Sequence, residues 1–250
     1  MDNNDLIILK SRLSTISLLS MVEELLQTSR PLKVAICNVN SVVRSYMDED
    51  LKSSINSHDY ATTDGMPLVW AAKLLGHRKQ ERVDGYSLFY KTIEEGINRN
   101  TKHYFYGSTE DALNKIVFNL NRDFPSINIV GTHSPPFGDT GDSSYEKLYE
   151  DISILKPDIV WVGLGMPKQE FFISNITRDT GNIKFVGVGA VFNWVSETEK
   201  KAPILIQRIG LEWFFRLVNN PKRLWRRYVI DNSIFIVLIF IQIIKKYTHQ

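Results

Sequence analysis

Residues Trp161–Glu170 read WVGLGMPKQE. Asp158–Val162, which runs into this stretch, is rich in β-branched and aromatic residues, which predicts a short buried strand. Gly163 and Gly165 can adopt backbone angles closed to other residues, and they let a neighbour or ligand come close. Pro167 suits the first turn of a helix, where a missing N–H costs nothing. The stretch therefore reads as strand, glycine turn and helix start. Such a start presents free N–H groups and partial positive charge, a natural seat for phosphate. An ordinary strand-to-helix turn looks the same, so the stretch alone decides fold rather than ligand.

The same rhythm extends along the chain. Candidate strands are Lys33–Val39, Tyr60–Thr63, His103–Gly107, Ile127–Gly131, Asp158–Leu164 and Lys184–Gly189. Helical patterns separate most of them: Pro67–Leu75, Ser87–Ile97, Glu110–Asn121 and Tyr145–Leu155. Alternation with short connections predicts an α/β, Rossmann-like, mostly parallel sheet with helices on both faces. Thr132–Ser144, rich in Pro, Gly, Ser and Asp, reads as a mobile loop.

Past Val191 the strand rhythm stops, and aromatic and basic residues interleave. Residues 1–195 are read as an α/β domain and 196–250 as a helical appendage of two or three helices. From Arg208 onward there are eight Lys/Arg against two acidic residues, leaving the rest of the chain slightly acidic. A basic tail on an acidic body points to an anionic partner. Ser233–Ile244 is intensely apolar but only about 12 residues long, whereas a bilayer span takes about 20. It reads as an interfacial helix with Lys245 and Lys246 at lipid headgroups. The alternative is a buried helix sealing a homo-oligomer interface.

Composition bounds the function classes. With 43% hydrophobic and 23% charged residues the chain is a folded globular protein, not a disordered one. Its one cysteine, Cys37, allows no internal disulfide and fits a reducing compartment. The opening MDNNDLIILK lacks the basic start and apolar core of a secretory signal. The expected location is therefore cytoplasmic. There is no Walker loop and no nucleophile elbow. The five histidines lack metal-ligand spacing, and Asp48-Glu49-Asp50 lies in a helix-like stretch read as a solvated face. No metal site and no cofactor are expected. A nucleic-acid surface built on Trp213, Trp225 and Tyr228 conflicts with the apolar run that follows, because such surfaces are polar and wet.

Chemistry is expected at the strand exits, because open α/β sheets bind ligands there. TTDGMPLVW leaves a strand through Asp64-Gly65 and enters a helix at Pro67. Asp64 is either a general base toward a hydroxyl or a helix cap. ICNVNSVV places Asn38 and Asn40 two apart at a strand end, where they point the same way on an extended chain, unless Asn is merely making a turn. YFYGS ends a strand at Gly107, and FVGVGAVFN ends one at Gly187–Gly189. Repeated glycine exits on one edge predict a nucleotide-sized cleft.

The motifs NVNSVV, TDGMPLVW, ERVDGYSLF, YGS, GLGMPKQE, GVGAVFN, KAP, LEWFFRL and NPKRLWRRY together resemble the WecG/TagA/CpsF glycosyltransferases, over about Lys33 to Tyr228. The resemblance implies a bacterial enzyme that moves a hexose-type sugar, with inversion, from a UDP-sugar to a saccharide carried on a polyprenyl diphosphate. It implies no metal requirement, a peripheral place on the inner face of the plasma membrane, and an appendage that meets the membrane and completes the site. By resemblance Asp64 is the catalytic base. Asn40, Arg82 and Gln169 are pocket residues, and Arg216, Arg223 and Arg226 are the basic residues of the appendage. Gly163, Gly165, Lys168 and Gln169 would then receive the UDP-sugar. The chain departs from some members at Asn38 (Thr), Asn193 (Asp) and Lys201 (Arg), the first beside the presumed reaction centre. The rival reading is a non-catalytic, membrane-docked nucleotide- or partner-binding protein.

Overall fold

The computed structural model describes residues 6–136, 142–203, 205–206 and 211–248. Its centre is a six-stranded parallel sheet: β3 (Leu32–Cys37), β4 (Tyr60–Thr63), β5 (Lys102–Gly107), β6 (Asn128–His133), β7 (Ile159–Gly163) and β8 (Lys184–Gly187). The spatial order is β4-β3-β8-β7-β5-β6, and every pairing is parallel. This is the Rossmann-like α/β architecture that the sequence predicts, with each strand within two residues of its expected bounds. All but the edge strand β6 are buried on both faces, so they read as continuous apolar runs rather than alternating ones.

Helices cover both faces. They are α1 (Leu18–Gln27), α2 (Val39–Met47), α3 (Glu49–Asn56), α4 (Met66–Leu74), α5 (Gly85–Gly96), α6 (Glu110–Asp123), α7 (Asp142–Leu155), α8 (Lys168–Ser174) and α9 (Val191–Val195). On one face Phe89, Phe105, Trp161 and Phe192 form the aromatic heart of the core. On the other, Leu68, Ala71 and Leu75 of the α4 region join Ala35 and Cys37. Cys37 is fully buried, as expected of a core thiol. Asp48 caps α3 by accepting from the Asp50 and Leu51 amides, so the acidic triplet is a helix start on the surface. The reading of Thr132–Ser144 as a loop is corrected at both ends: β6 runs to His133 and α7 begins at Asp142. Residues 137–141 lie outside the described residues.

The two ends of the chain also depart from the sequence reading. Near the N-terminus, β1 (Leu6–Ile8) and β2 (Ser11–Leu13) form an antiparallel hairpin, turned through positive φ at Leu9 and Lys10. The C-terminal apolar run is also not a short element. It belongs to α11 (Pro221–Thr248), a 28-residue helix with a wide π turn at Arg226–Asp231, preceded by α10 (Glu212–Asn219). By length and composition α11 is sufficient to cross a membrane, yet one of its faces packs on the body. Phe235 and Ile239 are buried in the same cluster as Leu68 and Leu75. The Gln242 side chain accepts from the Leu9 amide and donates to the Ile7 carbonyl, tying the helix to the hairpin.

Candidate active site

The carboxyl ends of five strands open into one cleft of about 1880 Å³, lined among others by Asn38, Asp64, Ser108, Gly163 and Gly189. Appendage residues form the facing wall. A narrower cavity of about 680 Å³ adjoins it, between Asp64 and Trp213, Arg216 and Tyr228 of the appendage.

Asp64 leaves β4 and lies before the start of α4. The cap of that helix is Gly65, at φ +97, with no side-chain hydrogen bond, so Asp64 is not a helix cap. Its backbone amide donates to Cys37 O at 2.7 Å, pinning the exit of β4 to that of β3. Its Oδ1 accepts from Arg82 at 3.3 Å. Burial pushes the carboxyl pKa up to about 6, against the opposing pull of Arg82 and with help from Asp84 and Glu212.

Arg82 is shared among three carboxylates. The nitrogen that meets Asp64 also donates to Glu212 Oε2 at 2.9 Å, and its Nε lies 3.9 Å from Asp84 Oδ2. Asp84 is itself committed to capping α5, accepting from Ser87 N and Oγ. Arg82 thus joins the strand exits to the first turn of α10. A second tie crosses nearby: the Asn40 amide donates to the Asp231 carboxylate of α11.

The appendage arginines enter in different ways. Arg216 lines both cavities and stacks 5.2 Å from the Trp194 ring. Its Nε is buried with no hydrogen-bond partner among the described residues. Arg223 lines the larger cleft but pairs with Glu199 at 2.6 Å. Glu199 also accepts from Asn193 at 3.1 Å, so an Asp at position 193 would face it with like charge. Arg226 is exposed and borders only the larger cleft.

The expected local setting of several of these residues is corrected. Asn38 and Asn40 do not project from an extended strand. Asn38 caps α2 in a reciprocal capping box with Ser41, and Asn40 lies in the first turn of that helix. Both still border the smaller cavity. Gly107 lacks a side chain because a Cβ there would sit 2.8 Å from the Gly163 carbonyl carbon. At Gly163 a Cβ would fall 2.2 Å from the Phe192 ring. Both glycines answer to packing. Gly165, at φ +77 with nothing within 4 Å, alone of the three faces open space. The helix after the turn begins at Lys168, with Pro167 as its cap, and is only seven residues long. Lys168 is exposed and lies outside both cavity linings. Gln169 is buried, and its amide is already engaged, accepting from Gly165 N at 3.2 Å and donating to Glu170 Oε1 at 3.1 Å. It braces the glycine turn from behind.

The structure also brings in residues that the sequence did not single out for the site. Arg227, rather than Arg226, lines both cavities. Its spacing of four from Arg223 on one helix was the available signal. Glu212 completes the Arg82 clamp, and nothing local in LEWFFRL marks it. Glu170 is buried, its pKa pushed up to about 7 by that burial, and its Oε2 has no partner among the described residues. Among the described residues, no three His, Cys, Asp or Glu side chains cluster to hold a metal ion.

The profile described as Glycosyl transferase WecG/TagA/CpsF family matches residues 7–249. An N-acetylglucosaminyldiphosphoundecaprenol N-acetyl-beta-D-mannosaminyltransferase of Bacillus spizizenii is 34% identical over 69% of this chain and 65% of its own length. Proteins of the same name from Bacillus subtilis and Staphylococcus aureus are 28% and 25% identical. They cover 78% and 84% of this chain, and 73% and 83% of their own lengths. The match thus spans just under two thirds of the Bacillus spizizenii protein.

Proposed function

The chain belongs to the WecG/TagA/CpsF glycosyltransferase family, and from that premise we propose an inverting transfer of a hexose-type sugar from a UDP-sugar to a polyprenyl-diphosphate-linked saccharide. The observation that carries the proposal is the setting of Asp64: relieved of capping, steered by Arg82, and facing a cleft whose opposite wall is arginine-rich. The names of the relatives, which specify an acceptor on diphosphoundecaprenol, support the choice of acceptor.

The chemistry follows from that setting. Asp64 takes the proton from the acceptor hydroxyl as its oxygen attacks the anomeric carbon. The bond to UDP breaks on the opposite side, so a single displacement inverts the centre. A carboxylate with a pKa near 6 is ionised at neutral pH yet basic enough to accept a proton. The negative charge gathering on UDP is met by Arg216 and Arg227, held in a partly desolvated cavity where each guanidinium counts for more than in water. We assign this charge stabilisation to guanidinium groups rather than to a metal ion; turnover that survives a chelator tests that assignment. The exposed apolar face of α11 and its terminal lysines would hold the enzyme peripherally at the inner face of the membrane, where the lipid-borne acceptor lies.

The test is UDP release from a panel of UDP-sugars, with a short-chain lipid diphospho-N-acetylglucosamine as acceptor. Release with one donor, dependent on acceptor and lost in Asp64→Asn, supports the reading. Donor binding without turnover under every condition would favour the non-catalytic alternative.

A further inference from the structure

Helix α4 runs away from the reaction centre. Met66, in its first turn, borders the same small cavity as Asp64. Met66, Trp70 and Leu74 recur every four residues and so share one face of the helix. That face is turned outward, with Trp70 53% and Leu74 57% exposed. Among the described residues, this apolar stripe beginning at a cavity wall is left largely uncovered.

The stripe does not end alone. The Tyr247 hydroxyl of α11 donates to the Leu74 carbonyl at 3.0 Å, and Lys246 Nζ donates to the Leu75 carbonyl. Ile236, Phe240 and Tyr247 lie on one side of α11 and are all exposed. The outward faces of α4 and α11 therefore meet where α4 ends. At that junction the chain is basic. His77, Arg78 and Lys79 follow α4 and, with Lys246 and a single carboxylate, Glu81, line a surface groove of about 1340 Å³, so Arg78, Lys79 and Lys246 outnumber the one acidic group.

We propose that the outward stripe of α4, the adjoining stripe of α11 and the basic turn at 77–79 form one docking face for an anionic lipid bilayer. The inference rests on the reading that the acceptor is lipid-borne, and it extends the membrane contact from the appendage into the catalytic core. Charge complementarity selects the occupant, because an apolar strip closed at one end by cations matches an acyl region bordered by anionic headgroups. The geometry also has a consequence for the acceptor. The first turn of α4 sits at Asp64 and its last turn at the basic edge, so docking on this face sets the reaction centre at a fixed place relative to the headgroup layer.

The experiment is co-sedimentation of the full chain with vesicles of phosphatidylcholine alone, or of equal parts phosphatidylcholine and phosphatidylglycerol. The wild type should prefer the mixed vesicles. Trp70→Ser with Leu74→Ser should weaken binding to both by about tenfold or more, since burying one Leu-sized side chain is worth that much. Arg78→Glu with Lys79→Glu should erase the preference for mixed vesicles and leave binding to phosphatidylcholine unchanged. Failure of the wild type to bind either vesicle would remove the membrane reading, and this face with it. If Phe240→Ser with Tyr247→Ser abolishes binding while the Trp70/Leu74 pair has no effect, the appendage docks alone and only the present inference falls. It falls equally if the Trp70/Leu74 pair breaks up an oligomer in sedimentation velocity without altering vesicle binding. Should that pair disturb folding, quenching by brominated lipid decides instead: Trp70→Phe should remove part of the quenching, and an unchanged signal overturns the proposal.

Discussion

Arg82 and Glu212 meet at 2.9 Å, and the same Arg82 nitrogen reaches Asp64 at 3.3 Å. Glu212 therefore competes with Asp64 for one cation, while its own charge also raises the Asp64 pKa. Glu212→Gln removes both effects, so Arg82 should turn toward Asp64 and hold it ionised to lower pH. The acid limb of kcat/KM should move to lower pH in this variant. A limb that stays in place would show that Glu212 only anchors α10.

Asp64 itself sets the position of that limb. With a pKa near 6, kcat/KM should rise with pH up to about 6 and then level off. Asp64→Asn should lower turnover by about 10²-fold or more while sparing donor binding by calorimetry. The same change should affect stability in the opposite direction. The folded carboxyl keeps its proton to higher pH than the unfolded one, so stability declines as pH rises from about 4 through about 6. At neutral pH the wild type carries this whole penalty. Asp64→Asn should therefore be more stable by about 1–3 kcal/mol at pH 7 and no more stable near pH 4. Thermal melts at the two values check this.

The glycine turn yields a contrast between neighbours. Gly163→Ala would drive a methyl group into the Phe192 ring, which is fully buried and has no room to retreat. About 1–3 kcal/mol of stability should be lost, partly restored by Phe192→Leu. Gly165→Ala meets no atom but must hold φ +77, which costs about 1–2 kcal/mol of backbone strain. Because Gly165 borders the cleft and a methyl group there would enter open space, its substitution should also change the KM for the donor. Denaturant melts and donor titration separate the two positions.

The sheet was legible because most of its strands are buried on both faces, and apolar runs such as Ile159–Val162 can be little else. The N-terminal hairpin was not. Each of its strands is three residues long, too short for alternation to register, and its turn uses Leu9-Lys10 where Asn-Gly would have signalled it. Helix α2 hid because Asn38, its cap, was read as the end of a strand. Asp64 and Arg82 were singled out through motif likeness, and the structure brings the two together at 3.3 Å. Gly107 and Gly163 were assigned to a ligand, yet neighbouring atoms alone leave neither of them room for a Cβ, because a glycine demanded by a neighbouring ring looks the same in sequence as one demanded by a substrate; Gln169 braces the glycine turn while also lining the cleft. The Arg82–Glu212 pairing joins residues 130 positions apart, and no local pattern carries it.

The same limit explains the choice between Arg226 and Arg227, which yields the last prediction. Adjacent positions on a helical turn point in different directions, so only one of the two can face the site squarely. Arg227 borders both cavities, and burial presses its pKa below the ordinary arginine value, the mark of a guanidinium taken out of bulk water. Arg226 is exposed and stacks on Trp225 at 5.4 Å. If departing UDP is stabilised from the appendage, Arg227→Ala should lower kcat by about 10²-fold, the scale for losing one preorganised donor. Arg227→Lys should recover only part of it, because an ammonium group lacks the bidentate fork. Arg226→Ala should leave kcat within about tenfold of wild type. Steady-state kinetics on the three variants settle the assignment, and the reverse ranking would place Arg226 on the diphosphate.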